Sequence, residues 1–92
     1  MAEKHIEAYL KKRVEALGGL CLKFTSPSRR GVADRLVISA SGLTFYVELK
    51  YGRNGLSPAQ VLFAKELNKR GVKVYYPRTK EEVDYFIENI YF

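Results

Sequence analysis

The chain has 92 residues, 47% of them hydrophobic, and its 16 Lys and Arg residues outnumber its 10 Asp and Glu residues, which gives a net charge of +6. This length favours a single domain, and this apolar content excludes an intrinsically disordered chain. The single cysteine excludes a small secreted protein held together by disulfides, and the apolar runs are too short to cross a bilayer. We therefore expect residues 1–92 to form one cytoplasmic domain with no targeting segment and no contact with a membrane.

The excess of positive charge is explained either by solubility alone or by binding to a polyanion, of which nucleic acid is the commonest in a cell. A chain of this size buries only about 60–65% of the surface that it exposes when unfolded, so its core is thin. Pairing of two copies would bury more of that surface. Charge alone therefore does not decide between a nucleic-acid partner and plain solubility, and the small size favours a homodimer.

The first half of the chain begins with a segment typical of an amphipathic helix. Apolar residues recur every three or four positions over residues 3–17, and two glycines follow as a stop signal. Residues 20–24 predict a short strand, with Cys21 in its core-facing position. The turn-forming residues of 25–31 then predict a loop, which is basic because it carries Arg29 and Arg30.

A hairpin comes next in the chain. Residues 32–39 and 43–51 are two apolar runs rich in β-branched residues, and only the three residues 40–42 separate them. A three-residue connection with a glycine at its end is typical of an antiparallel hairpin. We expect these two strands to be covered on both faces, because both of their faces are apolar.

The second half of the chain continues with a helix, a strand and a helix. Ser57 is a predicted N-cap, Pro58 occupies the first helical position, and the helix extends to residue 70. Residues 72–76 predict a fourth strand, and residues 80–91 carry apolar side chains at helical spacing. The predicted order is αβββαβα, which is an α/β fold with a small mixed sheet flanked by helices.

Three of the charged residues in the apolar hairpin, Asp34, Glu48 and Lys50, lie where packing alone would not place them. Glu48 and Lys50 share one face of their strand, about 6.6 Å apart. If residues 40–42 form the loop, the register places Asp34 directly opposite Glu48, with Cβ atoms about 5 Å apart. A slip of the register by one residue, or a solvated Glu48–Lys50 pair at a strand end, is the alternative.

Two facing carboxylates repel each other unless one of them takes a proton or a cation lies between them. Oxygen ligands at this separation suit a hard divalent ion. The predicted register therefore indicates a site for Mg²⁺ or Mn²⁺ between Asp34 and Glu48.

Three short motifs carry a resemblance to a known family. The segments 31–34 (GVAD), 48–50 (ELK) and 56–60 (LSPAQ) together resemble the VRR-NUC family of the PD-(D/E)xK nuclease superfamily. The resemblance covers nearly the whole chain, with one departure, Ala33, where the family usually has proline. It implies a restriction-endonuclease-like core and metal-dependent hydrolysis of DNA.

The resemblance also implies roles for individual residues. Asp34 and Glu48, together with the backbone carbonyl of Leu49, would ligate Mg²⁺ or Mn²⁺. Lys50 would orient the attacking water and stabilise the transition state, and Gln60 would complete the site. Gln60 has a second explanation, since Ser57 and Gln60 together satisfy the pattern of a helix capping box.

The first helix of that family carries an acidic residue, for which this chain offers Glu3 and Glu7. A helical projection places Glu3 closer to the apolar stripe, so we favour Glu3 as a catalytic residue. A carboxylate in the first turn of a helix is also explained by the helix dipole alone.

Four arginines near the predicted site are candidates for contacts with DNA phosphates: Arg29, Arg30, Arg35 and Arg53. Ser26 is a further candidate, because it lies in the same loop as Arg29 and Arg30. A solvated surface is the alternative. A symmetric dimer would present two sites and suit branched DNA such as a Holliday junction.

Other functions receive less support from the sequence. The glycines do not form a phosphate-binding loop, so no nucleotide cofactor is expected. His5 has no second histidine near it and is expected at the surface, and Cys21 has no base to make it a nucleophile. A non-catalytic nucleic-acid-binding module that retains the nuclease fold is the main alternative, and a protein-interaction subunit that uses the aromatic C-terminus is another.

Overall fold

The computed structural model describes residues 3–23, 25–50 and 55–89, with side chains from residue 5 onward. It contains seven elements in the predicted order αβββαβα. In chain order they are α1 (Glu3–Ala16), β1 (Leu20–Lys23), β2 (Arg35–Ile38), β3 (Thr44–Val47), α2 (Pro58–Lys69), β4 (Val74–Tyr75) and α3 (Lys80–Asn89). Parts of the predicted elements, at residues 24, 51, 90 and 91, lie outside the described residues.

The four strands form one mixed sheet in the order β1-β2-β3-β4. The first three strands pair antiparallel, and β4 pairs parallel to β3. Arg35 pairs with Val47 and Ile38 with Thr44, while the Ser39 N–H donates to the Leu43 carbonyl at 2.8 Å. The predicted hairpin register is therefore confirmed, and the alternative of a one-residue slip is wrong.

The hairpin strands are shorter than the sequence predicts. We expected strands over 32–39 and 43–51, whereas regular pairing is confined to the four residues of β2 and the four of β3. Residues before β2 leave the sheet because Gly31, with φ of 81°, turns that loop against α2. Asp34, Glu48 and Lys50 consequently lie beyond the ends of β2 and β3 and not in the interior of the sheet.

The chain after β3 stays extended beside β4. The backbone N–H of Glu48 donates to the carbonyl of Tyr75, and that of Lys50 donates to the carbonyl of Pro77, both at 3.0 Å. These bonds fix the direction of the segment that carries Glu48 and Lys50. Side chains alternate along an extended chain, so these two point to the same side of the sheet.

The two faces of the sheet are covered unequally. We call the inner face the one that bears Cys21, Val37, Phe45 and Val47, which packs against α1 and α3 to form the core. The outer face bears Leu22, Leu36 and Tyr46, which are neighbours across β1, β2 and β3. Leu36 and Tyr46 of the two hairpin strands are partly buried on the outer face, whereas Leu20 and Leu22 of β1 remain exposed there.

The helix α2 covers the β3–β4 side of the outer face. Its Phe63 ring meets the Tyr46 ring edge to face, with centroids 5.5 Å apart. The predicted capping box at its start is present: Ser57 Oγ accepts from the Gln60 N–H at 3.1 Å, and Gln60 Oε1 accepts from the Ser57 N–H at 3.0 Å. The helix therefore begins next to Glu48 with its first turn fixed.

Two side chains outside the predicted site lie where the sequence places them. His5 is exposed, and Cys21 is buried in the core, where burial raises the pKa of its thiol. A buried thiol with a raised pKa is a poor nucleophile. None of the helices in the described part of the chain is both long and apolar enough to pass through a bilayer.

Candidate active site

Three of the predicted site residues meet at one carboxylate oxygen. Lys50 Nζ lies 3.3 Å from Glu48 Oε2, and the Gln60 side-chain amide donates a hydrogen bond to the same oxygen. The side chains of Lys50 and Glu48 are only 17% and 18% exposed. Partial burial strengthens this pairing, because water screens it less than it screens a surface ion pair.

Gln60 serves the helix cap and the site together. Its oxygen caps α2 by accepting from the Ser57 N–H, while its nitrogen donates to Glu48. The two explanations that the sequence left open are therefore compatible, since a primary amide carries an acceptor at one end and donors at the other. The cap also orients the amide, so the start of α2 holds Glu48 in place.

Asp34 lies in the loop immediately before β2 and is partly buried. The confirmed register ends at the pair of Arg35 with Val47, so Asp34 and Glu48 each lie one residue beyond that pair, at the same end of the hairpin. Within the described residues, its carboxylate takes part in no hydrogen bond or ion pair. It is thus available to a ligand.

The loop that carries Asp34 is packed against the start of α2. Gly31 approaches so closely that a Cβ added there would come within 2.8 Å of Ala59 Cβ and closer still to the Ala59 backbone. This contact joins the first motif, at residues 31–34, to the third, at residues 56–60. Their shared location explains why residues so far apart in sequence serve one site.

The oxygen donors at this edge of the sheet suit a hard divalent cation. Asp34 and Glu48 supply carboxylates, and the N–H groups of Glu48 and Lys50 both point toward β4. The backbone of Leu49 between them therefore faces β2, the side on which Asp34 lies. Across residues 5–23, 25–50 and 55–89, no three His, Cys, Asp or Glu side chains gather in one place.

The acidic residue of the first helix is only partly described. The side chain of Glu3, which we favoured, lies outside the described residues. Glu7 accepts hydrogen bonds from Arg35 Nε at 3.1 Å and Nη2 at 2.9 Å. The Arg35 guanidinium is therefore engaged within the protein, one residue from Asp34, and its contact with DNA stays a prediction.

The basic loop is attached to α2 through one of its arginines. The Arg29 guanidinium forms an ion pair with Glu66 and lies over the Phe63 ring, 5.5 Å from its centroid. The hydrogen bond from Arg29 lowers the pKa of Glu66. Arg30 is exposed and Ser26 is partly exposed in the same loop, whereas Arg53 lies outside the described residues.

One residue near the site was not identified from the sequence. Tyr76 follows β4 and lies beside Glu48, and no motif in the sequence marks it as part of the site. Its hydroxyl is buried. Tyr76 is brought to Glu48 by the parallel pairing of β3 with β4, and the sequence does not predict that pairing.

Comparison with solved structures assigns the family. A structure described as a VRR_NUC domain matches this chain with a TM-score of 0.90 and 36% sequence identity, over 97% of each chain. The chain belongs to the VRR-NUC family. The family resemblance carried by the three motifs is therefore confirmed. The predicted restriction-endonuclease-like fold is confirmed as well.

Sequence comparison gives a second, shorter match to this VRR-NUC domain. A protein of Acyrthosiphon pisum secondary endosymbiont phage 1, named "Putative nuclease p44", is 42% identical over 59 residues, which are 64% of this chain and 63% of that protein. The match thus spans less than two thirds of the phage protein. No family model matches the chain.

Proposed function

We propose that this VRR-NUC domain is an endonuclease that hydrolyses phosphodiester bonds of DNA with the help of Mg²⁺ or Mn²⁺. The observation that carries the proposal is the convergence of Lys50 and Gln60 on the Glu48 carboxylate, at the end of the hairpin where Asp34 precedes β2. The nuclease family of the fold and the name of the phage relative support the same reaction class.

The proposed metal ligands are Asp34, Glu48 and the carbonyl of Leu49. Oxygen donors of this kind are those that Mg²⁺ and Mn²⁺ prefer. A divalent ion bound there lowers the pKa of a coordinated water and neutralises charge that develops on the phosphoryl oxygens. The confirmed register supports this assignment, because it brings the two carboxylates to the same edge of the sheet.

Lys50 is the proposed group that acts on the reacting atoms. Its ammonium group, 3.3 Å from Glu48 Oε2, is held next to the place where the water and the phosphate would meet. There it can donate hydrogen bonds to both, which orients the water and stabilises the charge of the transition state. The water oxygen would form the new P–O bond and give up a proton to solvent, while the bond to the leaving sugar oxygen breaks and that oxygen takes up a proton from solvent.

The DNA contacts of the proposal come from the basic loop and the net charge of +6. Arg30 is exposed in the loop that leads to Asp34, and Ser26 and Arg29 lie in the same loop. Such phosphate contacts are independent of base sequence, so we propose selectivity for DNA structure, with branched DNA such as a Holliday junction cut by a homodimer. We propose that the protein acts on DNA in the cytoplasm.

The test compares cleavage of branched and linear DNAs by the wild type and by Lys50→Ala, with Mg²⁺, with Mn²⁺ and with a chelator. We expect the wild type to cut branched DNA best and the chelator to stop it. Loss of one preorganised donor lowers the rate by about 10²–10³-fold, so Lys50→Ala should lose cleavage by this factor while it still binds DNA.

The matched control is Lys69→Ala, which removes the same charge from the exposed end of α2. It should cut as the wild type does. Undiminished cutting by Lys50→Ala would refute the assignment. Salt-dependent DNA binding with neither cleavage nor binding of Mn²⁺ would instead favour the non-catalytic module.

A further inference from the structure

Tyr76 lies beside Glu48 on the outer face of the sheet. Val47 pairs with Tyr75 across the parallel strands β3 and β4, so the next step of the register brings Tyr76 alongside Glu48. The hydrogen bond from the Glu48 N–H to the Tyr75 carbonyl continues the pairing to this position. Tyr76 and Glu48 therefore project to the same side, under α2.

The Tyr76 hydroxyl is buried and has no hydrogen-bond partner among the described residues. Leaving a buried hydroxyl without a partner is costly, because its lost hydration is not replaced, so such groups are rare and call for an explanation. Burial, and to a lesser degree the charge of Glu48, raises the pKa of Tyr76. The hydroxyl thus keeps its proton at neutral pH and remains a donor.

Tyr75 shows that this environment is specific to Tyr76. Its ring lies on the inner face, 5.1 Å from the Phe86 centroid and 6.0 Å from the Phe45 centroid. Two adjacent tyrosines thus face opposite sides of the sheet, one toward the core and the other toward the candidate site. A need for aromatic packing explains Tyr75 but does not explain the buried hydroxyl of Tyr76.

We infer that Tyr76 is a positioning residue whose hydroxyl donates to the Glu48 carboxylate when the site is loaded with a divalent ion. This inference rests on the proposed function. In the described structure, the donors to Glu48 are Lys50 and Gln60, and both reach Oε2. When Lys50 turns to the water and the phosphate, Glu48 loses one donor, and the adjacent Tyr76 hydroxyl replaces it.

The test is Tyr76→Phe, which removes only the hydroxyl, with Tyr75→Phe as the matched control. Loss of an outer-shell partner weakens metal binding by about 10–100-fold, so Tyr76→Phe should bind Mn²⁺ that much more weakly in calorimetry. Without metal, its melting temperature should equal or exceed that of the wild type, because the variant no longer buries an unpaired hydroxyl. Cleavage should fall at limiting Mn²⁺ and recover at high Mn²⁺.

Tyr75→Phe should bind Mn²⁺ as tightly as the wild type. The inference is overturned if Tyr76→Phe binds Mn²⁺ with unchanged affinity, or if its metal-free melting temperature falls, as loss of a structural hydrogen bond would cause. In both cases a wild type that binds Mn²⁺ and cuts DNA leaves the proposed function intact. A wild type that does neither overturns the proposed function and this inference with it.

Discussion

The two faces of the sheet differ in how far they are covered and in whether they carry charged residues. The inner face is apolar and closed by α1 and α3, and Val37 and Val47 there are 0% exposed. The outer face has only α2 above it and carries Glu48, Lys50 and Tyr76 at its β3–β4 end, while its β1 end leaves Leu22 exposed. Successive residues of one extended segment, such as Val47 and Glu48, thus belong to different environments.

The difference follows from the cost of burying charge. At the centre of the inner face, among Val37 and Val47, a carboxylate would lose its hydration, and the one described there near α1, Glu7, is paired with Arg35. On the outer face, partial coverage keeps Glu48 within reach of solvent while Lys50 and Gln60 supply donors. We therefore expect substitutions on the inner face to change stability and substitutions around Glu48 on the outer face to change cleavage.

The largest expected effect comes from deleting core volume. Leu10 of α1 is 0% exposed, and Leu22 on the outer face is 44% exposed. Leu10→Ala should reduce the free energy of unfolding by about 2.7–5 kcal/mol, since it removes buried methyl groups and leaves a cavity. The identical change Leu22→Ala should cost less than about 1 kcal/mol in denaturant unfolding.

The rate of cleavage per folded molecule separates the effect of a substitution on stability from its effect on the candidate site. We expect Leu10→Ala, at a temperature where it is still folded, to cut DNA at the wild-type rate. A large drop in that rate with unchanged secondary structure would show that the core also sets the site geometry. A Leu22→Ala variant as unstable as Leu10→Ala would show instead that a second copy covers the outer face.

A smaller effect is expected where the loop of Asp34 contacts α2. Gly31 and Gly71 have nearly the same backbone angle, with φ of 81° and 79°, but only Gly31 has atoms within 4 Å of an added Cβ. Alanine at either position strains the left-handed backbone by about 1–2 kcal/mol. Gly31→Ala should lose about 1–3 kcal/mol more by overpacking, and it should also lower cleavage.

The comparison of Gly31→Ala with Gly71→Ala isolates the close packing from the strain. Thermal unfolding measures the shared cost, and single-turnover cleavage measures the displacement of Asp34. Equal losses of stability in the two variants, with equal rates, would mean that the contact of Gly31 with Ala59 does not hold the site together.

The sequence predicted the features that depend on near neighbours in the chain. A three-residue loop fixed the hairpin register, and the Ser57 cap fixed the start of α2, so the relation of Asp34 to Glu48 followed from short-range rules. Strand lengths were overestimated, because apolar runs do not show where the partner strand turns away. The role of Gln60 toward Glu48 came from the family resemblance and is consistent with their hydrogen bond.

Contacts between distant segments were beyond local rules. The pairing of β3 with β4, which brings Tyr76 to Glu48, joins segments more than twenty residues apart. The ion pairs of Glu7 with Arg35 and of Arg29 with Glu66 also join segments that are far apart in the sequence. Charge alone suggested that these arginines were free for DNA, since a sequence does not show which acid lies opposite each base.

The smallest expected effect concerns the exchange of Arg29 between Glu66 and DNA. Both side chains of this ion pair are substantially exposed, and such pairs contribute little to stability. Glu66→Gln should therefore leave the melting temperature nearly unchanged. It should strengthen DNA binding about two- to fivefold at low salt, because Arg29 becomes available to phosphate, and the gain should fade as salt rises.

The matched control for this exchange is Glu88→Gln, which changes the net charge by the same amount on the exposed end of α3. If general charge were the cause, both variants would bind DNA equally more tightly. If Arg29 is the cause, adding Arg29→Ala to Glu66→Gln removes the gain, whereas adding it to Glu88→Gln leaves the smaller gain of that variant in place. A Glu66→Gln variant that binds DNA normally but cuts poorly would show that Arg29 holds the Asp34 loop in place. Its contacts with Glu66 and Phe63 would then matter more for cleavage than its charge.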